Sequence, residues 1–200
     1  MSKKKQYPPR KPRYAAGIKL QDARGTASRS WWAKRWLDTI ASKTLGGRFG
    51  RGRAYAMTGQ VVGLADALSC IEADVIGVRP DPYHVKIVFR SPTGDARDRI
   101  VSRIRSEPML VARLMSDELP TEIEGFFRDE GYDLFPGGKL APDEYDMTTS
   151  CTCPDYANPC KHSFAVLLVY GEEIARHPAK LLALRGITFD DLIKDVTSET

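Results

Sequence analysis

The stretch that decides the fold reads Cys151-Thr-Cys-Pro-Asp-Tyr-Ala-Asn-Pro-Cys-Lys-His162. Its spacing is Cys-x-Cys, six residues, then Cys-x-His. Zinc prefers four tetrahedral nitrogen and sulfur ligands, and three thiolates with one imidazole form a common structural set. Residues i and i+2 of an extended strand share a face, so Cys151 and Cys153 can reach one ion together. The sequence therefore predicts one structural zinc ion, bound by Cys151, Cys153, Cys160 and His162.

Neither a disulfide framework nor an iron–sulfur cluster fits the cysteines as well as zinc does. A disulfide-stapled secreted protein would spread an even number of cysteines along its length, whereas the fourth cysteine, Cys70, lies far away in an apolar stretch typical of a core position. An iron–sulfur cluster usually takes four cysteines. Four protein ligands leave no open position for water, which indicates a structural ion. The pattern favours a reducing, cytoplasmic location, with association to the nucleoid as a further expectation.

A strongly apolar helix is predicted directly after the cluster, and it runs to about residue 176. Asn158 is a good N-cap for it, and Pro159 is a good first helical residue. If Cys160 and His162 both lay in regular helix, their side chains would diverge by about 200°. Either the first turn is distorted, or the helix begins nearer Cys160.

Basic residues are concentrated in the first 60 positions. These hold 15 lysines and arginines against 2 acids, a net charge of +13, whereas the whole chain has a net charge of +4 and the remainder therefore carries −9. Such a split indicates a segment that meets a polyanion or an acidic partner. The proline-rich arm at 1–29 is expected to be disordered or extended, as a solubilising tail or a nucleic-acid arm. The candidate nucleic-acid contacts are Lys3, Lys4, Lys5, Arg10, Lys11, Arg13, Arg48, Arg51 and Arg53.

Three tryptophans lie in a predicted helix that Ser30 caps and that ends near Ser42. Trp31, Trp32 and Trp36 could stack on bases, but the apolar area of each ring favours core packing. The next segment, 46–53, is rich in glycine and arginine. It is expected to be a loop, which either holds phosphates through backbone amides and arginines or merely feeds a strand.

Alternating residues between 53 and 90 predict a small antiparallel meander, with a hairpin over 53–64 and further strands at 69–78 and 83–89. Helical patterns follow at 95–106 and 109–115. Thr121 is then predicted to open a capping box, with a helix to about residue 130.

These elements predict an α+β fold: a small antiparallel β meander with flanking helices, plus a C-terminal ββα-like zinc finger. The expected domains are a basic arm at 1–29, an α+β body at 30–140, and the finger with C-terminal helices at 141–195.

The segment CTCPDYANPCKHSFAVLL at 151–168 resembles the SWIM zinc finger, which is named for SWI2/SNF2 ATPases, plant transposase-like proteins and MEK kinase-type proteins. Flanking segments resemble the arrangement of prokaryotic members over roughly 30–195: WWAKRWLDTI, GRGRAYAMTGQVV, YHVKIVF, LFP and HPAKLLALRGIT. The resemblance implies a short hairpin and helix around the zinc, appended to a small α+β body. It also implies DNA binding and protein–protein contact, in association with an SNF2-type ATPase or helicase, or with a recombinase paralogue as in archaeal relatives. The family motif brings no catalytic residues.

Two non-enzymatic functions follow as hypotheses. A nucleic-acid-binding module accounts for the basic segment and the finger, with DNA favoured and RNA as an alternative. An adaptor would use the finger and the apolar helix after it as a protein interface. An enzyme is not expected, since no catalytic triad is suggested, His84 is predicted to be structural or exposed, and His177 is predicted to cap the end of the finger helix. No apolar run approaches the roughly 20 residues that span a bilayer, so no membrane partner is expected. A small-molecule substrate is not expected either, since the chain is predicted to be non-enzymatic.

Overall fold

A four-stranded antiparallel sheet forms one layer of the molecule. The structure is a computed structural model that describes residues 11–21, 30–42, 47–136, 139–141, 144–156 and 158–193. Its strands are β1 Val61–Ala67, β2 Cys70–Val75, β3 Tyr83–Phe89, β4 Lys139–Ala141, β5 Glu144–Tyr145 and β6 Met147–Cys151. The sheet has the order β1–β2–β3–β6, while β4 and β5 pair separately. The predicted α+β class, with an antiparallel meander, is confirmed.

Helices flank this sheet: α1 Trp31–Ser42, α2 Arg48–Met57, α3 Gly94–Arg105, α4 Pro108–Met115, α5 Glu122–Asp129, α6 Lys161–Arg176, α7 Ala179–Leu184 and α8 Phe189–Ile193. The helices predicted at α1, α3, α4 and α5 are confirmed within one or two residues. The predicted capping box of α5 is wrong, because Thr121 is itself helical (φ −63°) and makes no side-chain cap. None of the helices in the described ranges is both long and apolar enough to cross a membrane.

The centre of the core is α6, which is buried on all sides. Twelve of its sixteen residues are buried. A helix that is apolar all round belongs inside a protein, and α6 contacts α1 and α2 as well as strands β1, β2, β3 and β6. The hypothesis that this helix offers an apolar interface to a partner is therefore wrong, since its surface is already used within the chain.

Only one face of the sheet packs against the core. Along β3, Val85 and Ile87 are buried, while His84 and Lys86 are exposed. Cys70 lies half-buried at the start of β2, next to the inward-facing Ile71. The prediction of a core position for Cys70 is wrong, because neighbouring residues of a strand point to opposite faces.

The tryptophans of α1 are part of the core. Trp36 is fully buried, and its indole N–H donates to the Leu167 carbonyl of α6. Trp31 and Trp32 are partly buried and donate to the Leu119 and Ile174 carbonyls. The structure thus favours core packing over a base-stacking platform, since each ring buries apolar area and satisfies its one donor.

The segment predicted as a Gly/Arg-rich loop and a strand is the helix α2. The predictions of a loop at 46–53 and of a hairpin over 53–64 are wrong for the described part of that segment. A Cβ at Gly52 would lie 2.5 Å from Cβ of Phe164, so this glycine lets α2 pack closely on α6. Tertiary packing therefore outweighs the low intrinsic helix propensity of glycine here.

Part of the predicted arm lies against the body. Within residues 11–21 the chain is extended, and backbone N–H groups of Gly17 and Ile18 donate to the carbonyls of Gly59 and Val61. A Cβ at Gly17 would lie 2.1 Å from the Val61 carbonyl oxygen, which explains the glycine at this close crossing. The prediction for 1–10 and 22–29 lies outside the described residues.

Candidate metal centre

The four predicted zinc ligands come together at the junction of β6 and α6. One ligand atom from each of Cys151, Cys153, Cys160 and His162 lies within 4.8 Å of the others. The Nδ1 atom of His162 is 3.7 Å from Sγ of Cys151 and 3.9 Å from Sγ of Cys160. In a tetrahedral zinc site, ordinary bond lengths give a sulfur–nitrogen edge of about 3.6 Å. The donor set and its spacing therefore fit one zinc ion, with Nδ1 as the imidazole ligand.

The first ligand pair is positioned by the sheet. Cys151 ends β6 and lies opposite Val85 of β3. The backbone N–H of Thr152 still donates to the His84 carbonyl, and the chain then turns away through Cys153. The strand prediction for this pair is confirmed at Cys151, because β6 extends the same sheet that forms the body.

The second ligand pair is positioned by the start of α6. Cys160 is the N-cap, with extended backbone angles (φ −84°, ψ 173°), and its Sγ accepts from the Ser163 N–H. The predicted N-cap Asn158 and first helical residue Pro159 are therefore wrong. Because Cys160 precedes the helix, its side chain and that of His162 need not diverge as two helical residues would.

Hydrogen bonds set the protonation of the two cysteines nearest the imidazole. The pKa of Cys160 falls to about 3, first through its hydrogen bond with Cys151 and then through those with His162 and Ser163, against the opposing effect of burial. The same bond raises the pKa of Cys151, and burial raises it further. Because zinc binds cysteine as the thiolate, zinc binding at this cluster releases the protons that its thiols carry.

The centre is closed by its own protein groups. Cys160 and His162 are 2% and 3% exposed, and the other two cysteines are half-buried. Four protein ligands complete a tetrahedral shell, which leaves no position for a reacting water. When bound here, zinc would therefore supply cross-linking of β6 to α6 and no chemistry of its own.

The basic helix α2 lies directly beside the finger loop. Nε of Arg48 is 3.5 Å from a carboxylate oxygen of Asp155. The rings of Phe49 and Phe164 meet edge to face with centroids 5.7 Å apart. Arg48, which lies about a hundred residues before the finger in sequence, is therefore its neighbour in space, and the candidate contacts Arg51 and Arg53 lie on the same helix.

The other candidate nucleic-acid contacts are more dispersed. Arg13 uses Nη1 to donate to the Pro80 carbonyl, and Lys11 is exposed near the start of the described chain. Lys3, Lys4, Lys5 and Arg10 lie outside the described residues. Of the candidate contacts in the described part of the chain, Arg48 is thus placed against the finger loop.

Sequence reasoning missed one group at the site and another at the opposite end of β6. Tyr55 and Tyr83 lie against the His162 ring, and the buried carboxylate of Asp146 pairs with Arg185 just before β6. No local spacing relates these residues to the cluster. Gly52 and Gly77 lie close to the two tyrosines in the structure, but the sequence alone does not show which distant segments these glycines contact.

Comparison with known proteins agrees with the geometry. The family model described as SWIM zinc finger matches residues 143–171. The chain is 33% identical over 192 residues to the uncharacterized protein Rv2102 of Mycobacterium tuberculosis, and the match covers 96% of this chain and 68% of the relative. No solved structure matches the chain.

Proposed function

We propose that this chain is a non-enzymatic nucleic-acid-binding protein. The premise is that it is a SWIM zinc finger protein and belongs to the same family as its mycobacterial relative. DNA is the favoured ligand. The zinc ion orders the finger loop, and the loop and α2 together form the binding surface. We place the protein in the cytoplasm, at the nucleoid, as an accessory to an SNF2-type ATPase or helicase.

The observation that carries this proposal is the contact between the finger loop and α2. Helix α2 holds three arginines and no acidic residue. Its Arg51 is exposed. The finger loop, which contacts α2 through Asp155 and Arg48, presents Tyr156 fully to solvent. Arginines neutralise phosphates, and an exposed aromatic ring can stack on a base. The surface therefore combines the two kinds of group that bind single- or double-stranded nucleic acid.

Two glycines of α2 differ in how closely they are packed, and this difference supports the same conclusion. Gly52 is required for packing on α6, as shown by the 2.5 Å approach that a Cβ would make. Gly50 is exposed, and a Cβ there would meet no heavy atom within 4 Å. Glycine in a helix costs about 1 kcal/mol relative to alanine. A glycine that packing does not need leaves room for close approach of a ligand backbone.

A non-enzymatic role accords with the use of the histidines. His162 belongs to the closed metal centre, His84 pairs with Asp74, and Nδ1 of His177 is 3.1 Å from Asp117. His84 and His177 are both exposed and paired with carboxylates on the surface. Such pairs are ordinary surface electrostatics.

The test is fluorescence anisotropy of a labelled DNA duplex over a range of salt concentrations. We expect affinity to fall steeply with salt, because bound arginines release counterions from phosphates. Arg51→Gln should weaken binding, and Gly50→Ala should weaken it while leaving the fold as stable or up to about 1 kcal/mol more stable. Arg128→Gln, an exposed arginine of α5, is the matched control and should bind as the wild type does.

Each outcome bears on a different part of the proposal. Absent or salt-independent binding by the wild type would overturn nucleic-acid binding altogether. Binding that Arg51→Gln and Gly50→Ala leave unchanged would move the contact away from α2. Tighter binding of an RNA of the same sequence would replace DNA by RNA as the ligand.

The proposed protein partner is best sought at the finger loop, because α6 is internal. Fully exposed aromatic side chains such as Tyr156 are frequent anchors of protein interfaces. The test is recovery of a tagged SNF2-type ATPase with the wild type and with Tyr156→Ala. Loss of the ATPase with Tyr156→Ala would support the adaptor role, and recovery of a recombinase paralogue instead would change the partner. If the wild type recovers neither, the partner proposal fails while nucleic-acid binding stands.

A further inference from the structure

The imidazole of His162 has one nitrogen that the zinc site does not use. Nδ1 faces the thiols, so Nε2 lies on the far side of the ring. This nitrogen is buried, and within the described part of the chain it has no hydrogen-bond partner. A metal-ligating histidine usually donates its second N–H to a carboxylate or carbonyl, which fixes the ring orientation. Some other contact must orient the ring here.

Two tyrosine rings enclose this imidazole. The ring of Tyr83 is stacked on it, with centroids 4.5 Å apart and planes at 25°. The ring of Tyr55 meets it at a steep angle, with centroids 5.2 Å apart and planes at 66°. Both tyrosines are buried, on β3 and α2 respectively. The enclosing groups therefore come from the body of the fold and not from the finger segment.

Both rings are themselves held in place by close packing. A Cβ at Gly77 would lie 2.2 Å from Cε2 of Tyr83, so the Tyr83 ring lies flat against the backbone there. Tyr55 lies on α2, which Gly52 keeps in close contact with α6. The ammonium group of Lys161 lies 5.1 Å from the Tyr55 ring centre, a favourable cation–π distance. Rings held in this way can restrict the orientation of the imidazole that they touch.

We infer that Tyr55 and Tyr83 are positioning residues of the zinc centre, whose rings take over the orienting role of the usual hydrogen bond to the histidine. Ring contacts of this kind stabilise one relative orientation of the two rings beyond what their buried area contributes. The zinc affinity of the finger then depends on residues that lie far outside it in sequence. This inference does not rest on nucleic-acid binding.

The test compares leucine and phenylalanine at each tyrosine in the full chain. Zinc affinity is measured by competition with a chromophoric chelator, and ligand geometry by the visible absorption of bound Co²⁺. Tyr55→Leu and Tyr83→Leu should each weaken zinc binding about 10-fold and alter the Co²⁺ spectrum, as loss of an outer-shell contact does. Tyr55→Phe and Tyr83→Phe keep the ring and should stay within about 2-fold of the wild type.

A fold-destabilising control separates positioning from general stability. Ile87→Val removes one buried methylene on the same strand as Tyr83, and it should lower the midpoint of urea unfolding while leaving zinc affinity and the Co²⁺ spectrum unchanged. Wild-type zinc affinity in both leucine variants would overturn the inference. So would phenylalanine variants as weak as the leucine variants, because the hydroxyl groups and not the rings would then be responsible. If one leucine variant does not fold, the other leucine variant decides, with its phenylalanine counterpart and Ile87→Val as controls.

Discussion

The two ends of β6 are held by different chemistry. At its C-terminal end, Cys151 belongs to a cluster of thiols and an imidazole that fits zinc. Just before its N-terminal end, Asp146 forms a buried ion pair with Arg185, with Nη2 and Oδ2 2.6 Å apart. Asp146 and Arg185 are 2% and 1% exposed. One short strand is therefore anchored by a metal centre at one end and by an isolated charge pair at the other.

The ion-pair end gathers several segments that the chain leaves far apart. Arg185 donates not only to Asp146 but also to the carbonyls of Leu134 and Arg90. Arg90 in turn donates its backbone N–H to the Asp146 carbonyl. A buried charge is tolerated only where its hydrogen bonds are satisfied, as they are here. The metal centre therefore links residues that are close in sequence, whereas the ion pair links segments that are far apart in sequence.

Loss of the zinc site should have the largest effect on the free energy of unfolding. Cys160→Ser is expected to lose the zinc ion and destabilise the whole chain, on the order of 10 kcal/mol at saturating zinc, because α6 is the centre of the core. Zinc content by mass spectrometry and thermal unfolding by circular dichroism check this. Cys70→Ser, a cysteine outside the cluster, should keep one zinc per chain. One retained zinc in Cys160→Ser would contradict the ligand assignment.

Loss of the ion pair between Asp146 and Arg185 should lower the free energy of unfolding by less, and the zinc ion should stay bound. Arg185→Met leaves the Asp146 carboxylate buried and unpaired, which should cost about 3–5 kcal/mol in the free energy of unfolding. The double variant Arg185→Met with Asp146→Leu should recover part of this loss, because no charge remains buried. Urea unfolding and zinc titration measure both quantities. A double variant that loses the full sum of the single effects would show that the pair itself has no special role.

Replacement of Asp191, a partly exposed carboxylate, should have the smallest effect on the free energy of unfolding, in contrast to loss of the buried ion pair. Hydrogen bonds from Thr188, together with Arg97, lower the pKa of Asp191 to about 2, although burial acts to raise it. A lowered pKa contributes stability above the unfolded value of about 3.9, and this contribution is lost as pH falls from about 4 to about 2.

The corresponding variant is Asp191→Asn, which should lower the free energy of unfolding by about 1 kcal/mol at neutral pH. The difference in the free energy of unfolding between this variant and the wild type should shrink as pH falls from about 4 to about 2. Both proteins lose zinc in acid, so that loss does not contribute to the difference. Asp190→Asn, an exposed neighbour in α8, is the control and should change little. A difference for Asp191→Asn that stays constant with pH would show that its charge is not involved.

Regular elements could be predicted where the signal is local. Alternation at β3 and helical spacing at α3 depend on residues a few positions apart, and both predictions are confirmed. Helix α2 could not be predicted, because its glycines suggest a loop unless the contact of Gly52 with Phe164 is known. The cap at Asn158 failed for a similar reason, since Cys160 competes for that role through its contact with Ser163.

The sequence alone determined the metal centre, since its four ligands lie within twelve residues and their chemistry and spacing are local properties. Only the tertiary structure decided what surrounds that centre. It brought Arg48 of α2 beside the finger loop and enclosed His162 between Tyr55 and Tyr83, and at the other end of β6 it paired Asp146 with Arg185. These contacts join residues tens of positions apart, and their free energy arises only when the chain has packed around α6.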